Sequence, residues 1–114
     1  MNWVWESKMC KVNVDLHIHS VLSPCAHLLM TPGNIIRRAL EVELDVIAIT
    51  DHNSIGNLET ALKIAADKPL RIIPGMEVES REEVHLLCYF KELDRAMEWQ
   101  KIVDENLPNI KNNE

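Results

Sequence analysis

The chain has 114 residues, of which 46% are hydrophobic and 26% charged, with a formal net charge of -6 at pH 7. That length admits one domain at most, built on a single small core, and the composition is that of a soluble globular protein. The acidic balance argues against a nucleic-acid or anionic-membrane partner held by bulk electrostatics, although bound divalent cations would reverse the field locally and admit a phosphorylated substrate.

The first residues, Met1-Asn2-Trp3-Val4-Trp5-Glu6-Ser7-Lys8, lack the apolar stretch of a signal peptide, and no apolar run reaches the roughly 18 residues of a membrane span. Cys10, Cys25 and Cys88 form no CxxC pair. An odd, scattered set fits a reducing cytoplasm better than a disulfide framework. The first predicted strand, 12–18, alternates with period two. Val12, Val14, Leu16 and Ile18 share one face, and Asn13, Asp15, His17 and His19 share the other.

A helix is predicted from Thr31-Pro32, with Thr as N-cap and Pro at the first helical position. Ile35, Ile36, Ala39 and Leu40 form its apolar face. The segment 45–50 is nearly all apolar, as in a strand covered on both sides. A second helix follows with Leu58, Ala61, Leu62 and Ala65 at i, i+3, i+4, i+7. A third strand spans 70–78, broken or bulged at Pro74-Gly75, and a fourth spans 84–90. A weaker helical pattern places Ala96, Trp99, Val103 and Leu107 on one side. The order β-α-β-α-β-β-α predicts an α/β fold with about four strands, three helices and a largely parallel sheet. In such folds ligands gather at the carboxyl ends of strands.

The unusual residues lie at those ends. His17 and His19 point the same way from a strand and can share a metal ion, or else decorate a solvent-facing strand edge. The segment Thr50-Asp51-His52-Asn53-Ser54 follows the most apolar strand. There Asp51 can ligate, orient a ligand, or cap the next helix together with Ser54; capping would not compete with His52 as a ligand. Glu77 can bridge two cations through its two oxygens, or be one exposed acid among Glu79, Glu82 and Glu83. His85 sits in an otherwise apolar strand, where a lone histidine is more often a hydrogen-bonded core residue than a ligand. Cys25 and His27 occupy a Pro-containing loop after the HxH pair; Cys25 is a ligand or a small buried apolar residue. A nucleophilic Cys25 lacks a Cys-His-Asn setting. Arg81 is read as a solvated surface arginine sooner than a phosphate contact. Neither GxxxxGK[ST] nor GxGxxG is present.

Taken together, Asp15-Leu16-His17-Ile18-His19-Ser20, Ile49-Thr50-Asp51-His52, Pro74-Gly75-Met76-Glu77 and Val84-His85-Leu86-Leu87 resemble the PHP (polymerase and histidinol phosphatase) superfamily. The wider match through Leu22-Ser23-Pro24-Cys25-Ala26, Met30-Thr31-Pro32 and Glu82-Glu83-Val84-His85 is similar to its stand-alone metal-dependent phosphoesterases. The resemblance covers about residues 12–108. It implies the N-terminal part of a distorted (β/α)7 TIM-like barrel, with two or three divalent ions (zinc, manganese or iron) at the strand ends.

Carried onto this sequence, His17, His19 and Glu77 match ligands of a first metal, and Glu77 bridges to a second that His85 holds. His52 matches a ligand of a third, and Asp15 and Asp51 are motif residues that support ligands. Cys25 stands where family members often place His or Asp; as a ligand it would favour zinc. His27 matches no motif position. The implied chemistry is hydrolysis of a phosphate ester, on a phosphorylated small molecule or nucleotide, by metal-activated hydroxide. The family's later ligands, a further His or Cys and an Asp-x-His pair, have no counterpart in these 114 residues. The expectation is therefore a partial PHP domain over 1–114, completed by a C-terminal half or by homodimerisation. The alternative is a catalytically silent metal-binding or interaction module derived from one. An amidohydrolase-type barrel shares the HxH start but not the Thr-Asp-His and Pro-Gly-Met-Glu blocks.

Overall fold

The computed structural model describes residues 11–20 and 30–106. Five strands and three helices follow in the order β1 (Val14–Ile18), α1 (Pro32–Glu41), β2 (Val46–Ile49), α2 (Leu58–Ala65), β3 (Arg71–Ile72), β4 (Gly75–Glu79), β5 (His85–Tyr89) and α3 (Leu93–Asn106). The three helices stand where the apolar periodicity puts them, Leu107 of the third pattern lying outside the described residues. At the start of α1 the Thr31 hydroxyl accepts a hydrogen bond from the Asn34 amide at 3.3 Å, and Pro32 fills the first turn. Ile35, Ile36 and Ala39 are buried beneath it. The helix stops at Val42, and Glu43 turns the chain in a left-handed conformation with φ of 60°. Leu44 then donates back to the Ala39 carbonyl at 2.9 Å, which satisfies a terminal carbonyl that the helix itself leaves open.

Strands β1, β2 and β3 form a parallel sheet in that order, with Val14 opposite Val46, Ile47 opposite Ile72, and an irregularity in β1 between Asp15 and Ile18. The central strand is the apolar one because both its faces are covered: Ile47, Ala48 and Ile49 are buried. The core joins Ile47 and Ile49 to Ile35, Ile36 and Ala39 of α1, to Leu58, Ala61 and Ala65 of α2, and to Leu70, Ile72 and Ala96. Strand β1 lies at the sheet edge, so its apolar face is covered only in part, and Val12 and Val14 stay more than half exposed.

The stretch 70–78 is two strands in two sheets. Its first part, β3, pairs parallel to β2; its second part, β4, pairs antiparallel to β5 from Gly75 opposite Tyr89 to Glu79 opposite His85. Pro74 carries no amide hydrogen and separates the two. The largely parallel four-strand sheet expected from sequence is thus a three-stranded parallel sheet beside an antiparallel hairpin. The reason lies in the connection: residues 80–84 are too few for the crossover of a dozen or more residues that a parallel pair needs. A parallel bridge between His52 and Glu77 docks the hairpin against the end of β2, the Glu77 amide donating to Asp51 O at 3.0 Å and the Asn53 amide to Glu77 O at 2.9 Å. Among the described residues no helix is long and apolar enough to cross a membrane.

Candidate metal centre

Strand alternation supplies the first part of the site. His17 and His19 leave β1 and its end on the same side, and both Nε2 atoms reach one oxygen of Glu77, at 2.6 and 2.8 Å from Oε1. Glu77 is itself buried, with 5% of its surface exposed. The backbone bridge to β2 brings up His52, whose Nδ1 is 3.9 Å from the other oxygen, Oε2. Hairpin register brings up His85, whose Nδ1 also contacts Oε2. One carboxylate therefore stands among four imidazoles, two facing each oxygen. The rings form an arc, with centroids 5.0 Å apart for His17–His19, 4.5 Å for His19–His52 and 5.6 Å for His52–His85.

The supports of this arc are specific. Asp51 is almost fully buried, and its carboxylate accepts from the Ser20 amide at 2.6 Å and from the Ser20 hydroxyl. The Ser20 hydroxyl accepts in turn from the Asn57 side chain at 3.0 Å. Since Ser20 follows His19 and Asp51 precedes His52, this network fixes the spacing of those two histidines. Asn53 turns in the left-handed region, φ 51°, which asparagine tolerates better than most residues. Its side-chain oxygen accepts from the Glu79 amide at 3.0 Å, and Gln100 of α3 donates to its carbonyl at 3.0 Å. Gly75 is a matter of space: a Cβ there would lie 2.8 Å from Thr50 Cγ2. Only glycine lets β4 run close enough to β2 to place Glu77 two residues later.

Burial by itself would push the Glu77 carboxyl up. Hydrogen bonds from His85, His17 and His19, with the nearby His52, outweigh it and bring the group from 4.5 down to about 2. The His85 imidazole is pushed up, first by its hydrogen bond to Glu77, against its partial desolvation, and further by the Glu79, Glu77 and Glu83 charges. Every ion-pair partner of Glu77 among the described residues is a histidine. Imidazole nitrogens around an ionised carboxylate are the donor chemistry of zinc, manganese and iron sites. Two sets of donor atoms, His17/His19/Glu77 and His52/Glu79/His85, lie within 4.8 Å of one another in each set. The residues thus fit divalent cations, in two adjacent positions.

The structure brings His17, His19, His52, Glu77 and His85 together. His85 is not a core histidine: its side chain is 44% exposed, on a strand whose Leu86 and Leu87 are also exposed. Asp15 accepts from the His17 backbone amide at 3.2 Å. Asp51 holds Ser20 rather than capping α2, whose N-cap is Asn57. Arg81 is exposed on the β4–β5 turn. Cys25 and His27 lie outside the described residues. Glu79 was hidden in the sequence among the neighbouring acids, although its place two residues after Glu77 on a strand puts it on the same face.

A family model described as the PHP domain matches residues 15–108. The chain is similar to the 3',5'-nucleoside bisphosphate phosphatase of Chromobacterium violaceum, 36% identical over 78 residues, which is 66% of this chain and 26% of that protein. It is also similar to the 5'-3' exoribonuclease Rnm of Salmonella typhimurium, 31% identical over 78 residues, 64% of this chain and 26% of that one. Among solved structures, an amidohydrolase from Chromobacterium violaceum with bound sulfate and no metal matches at a TM-score of 0.63 and 30% identity, over 82% of this chain and 34% of that one. The mixed α/β arrangement with a parallel sheet is shared with that structure. The chain spans about a quarter of the length of the curated relatives it matches.

Proposed function

This chain belongs to the PHP domain family, and from that premise we propose that it serves metal-dependent hydrolysis of a phosphate ester. The observation that carries the reading is the Glu77 carboxylate, buried at the strand ends with two histidines facing each oxygen. His17, His19 and Glu77 would hold one divalent cation; Glu77 and His85 would hold a second. His52, beside His85, would complete the second or hold a third, and Cys25 would join the set. Zinc, manganese and iron all suit these donors. When bound, such cations bring a water's pKa down to roughly 7 and neutralise charge on phosphoryl oxygens.

The protein's own part is positional. Glu77 sets the distance between the two His pairs. The Asp51–Ser20 contact holds His19 and His52 in step. The half-exposed rings of His17 and His85 mark the side from which substrate enters. A phosphorylated small molecule or a nucleotide is the substrate class, because the curated relatives are named for a nucleoside bisphosphate and for RNA. The described strands are taken as the opening part of a distorted (β/α)7 barrel, completed by a further segment or a second copy. The cytoplasm is the compartment that fits the three unpaired-in-sequence cysteines.

The test is metal content per chain together with turnover of an aryl phosphate in added Mn²⁺ or Zn²⁺. Two or more cations per chain, with turnover abolished in His17→Ala, is the expected result. A folded sample that binds cations and turns nothing over would instead be the silent module, and a folded sample that binds none would end the reading.

A further inference from the structure

We propose that Glu79 is a protein ligand of the cation held by His52 and His85, giving that position a two-histidine, one-carboxylate donor set of its own. The inference rests on the metal reading above and adds to it a residue that the motif comparison does not supply. Strand geometry comes first. Glu77 and Glu79 project from the same face of β4, and Glu79 stands directly opposite His85 in the hairpin register. The side chains of Glu77, Glu79 and His85 are thus delivered to one surface by backbone pairing alone.

The distances then select a donor role. Glu79 Oε1 lies 3.2 Å from His85 Nε2 and 3.9 Å from His52 Nδ1. Tetrahedral donors bound at 2.0–2.1 Å stand ~3.3 Å apart, so these separations are close to those of ligands around one ion. Glu79 is also held from beneath, its amide donating to Asn53 Oδ1, and Asn53 is tied to α3 through Gln100. Its side chain is 34% exposed where that of Glu77 is 6% exposed, which puts it at the mouth of the site rather than its floor. Glu77 meets the other ring nitrogen of His85, Nδ1, so a cation on Nε2 takes its negative charge from Glu79. The two-histidine, one-carboxylate combination is one that zinc and ferrous iron both accept.

The alternative role for Glu79 is to accept a hydrogen bond from His85 Nε2 and orient the ring without touching a cation. Glu79→Gln separates the two, because its amide oxygen still accepts that bond but is a poor, uncharged metal donor. Metal-free full-length chain is titrated with Mn²⁺ by calorimetry, as wild type and as Glu79→Gln, with circular dichroism confirming the fold. The expected result is at least two cations per wild-type chain, and in Glu79→Gln a loss of ~10-fold or more in the affinity of one class with the other unchanged. Wild-type affinities in Glu79→Gln overturn the proposal and leave the metal reading standing; a wild type that binds no cation overturns both. Glu79→His provides a second arm that does not depend on the fold of the first variant. Exchanging an oxygen donor for nitrogen should keep the class and shift its Co²⁺ absorption bands, and an unshifted spectrum overturns the proposal.

Discussion

Two side chains carry most of what can be tested at the level of single residues. Glu77 gathers four histidines, and each of them comes from a different stretch of chain except the HxH pair. Tyr89 is the sole tyrosine of the sequence, and its hydroxyl donates to Leu16 O at 2.6 Å, tying β5 to β1. Tyr89→Phe removes that bond and should lower unfolding free energy by about 1 kcal/mol in chemical denaturation. The phenol is pushed above its ordinary value of 10.0, first by burial and then by the Asp15 charge. A group raised on folding contributes stability that is complete below its unfolded value and is lost as pH climbs through its folded one. Phenolate absorbance, which reads this one residue, should therefore titrate above pH 10 in the native chain and fall back on denaturation. A native midpoint at or below the denatured one would contradict the partial desolvation of this hydroxyl against Leu16.

Elements are positioned by their ends. Asp51 and Ser20 close off β2 and β1, and their buried contact sets the spacing of His19 and His52. Asp51→Ala leaves the Ser20 amide and hydroxyl without their acceptor, at a cost of about 3 kcal/mol. Because the damage falls between two proposed ligands, cation affinity should drop along with stability, whereas Tyr89→Phe should spare affinity. Retained affinity in a folded Asp51→Ala chain would deny this contact its positioning role. The C-terminus of α1 gives the opposite sign. Glu43 occupies a left-handed position that glycine adopts without steric cost. Glu43→Gly should raise stability by about 0.5–1 kcal/mol, after allowing for the greater freedom of the unfolded chain. No rise in the thermal midpoint would mean that Glu43 has offsetting contacts in the native state.

Across the whole molecule, cations bound at the proposed site would be coupled to folding, because the donors come from β1, β4, β5 and the segment after β2. A ligand that binds only the native state stabilises it by about 2.7 kcal/mol at one hundred times its dissociation constant. Adding Mn²⁺ to metal-free protein should raise the thermal midpoint, and excess chelator should reverse the rise; a midpoint indifferent to both would separate the site from cation binding. Much of this was already legible in the chain. The apolar run at 46–49, the Thr-Pro start of α1 and the i, i+3, i+4, i+7 pattern of α2 are local signals, written in neighbouring residues, and the order of His17, His19, His52, Glu77 and His85 pointed to one family. Those features rest on short-range chemistry, which a sequence states directly. What tertiary structure alone decided depends on chain direction and distance: that 70–78 divides between two sheets, that β5 runs antiparallel, that Asp51 holds Ser20, and that Glu79 faces His85. Such facts arise from residues 6 to 31 positions apart being brought within hydrogen-bonding reach, and no periodicity in one segment encodes which other segment it will meet.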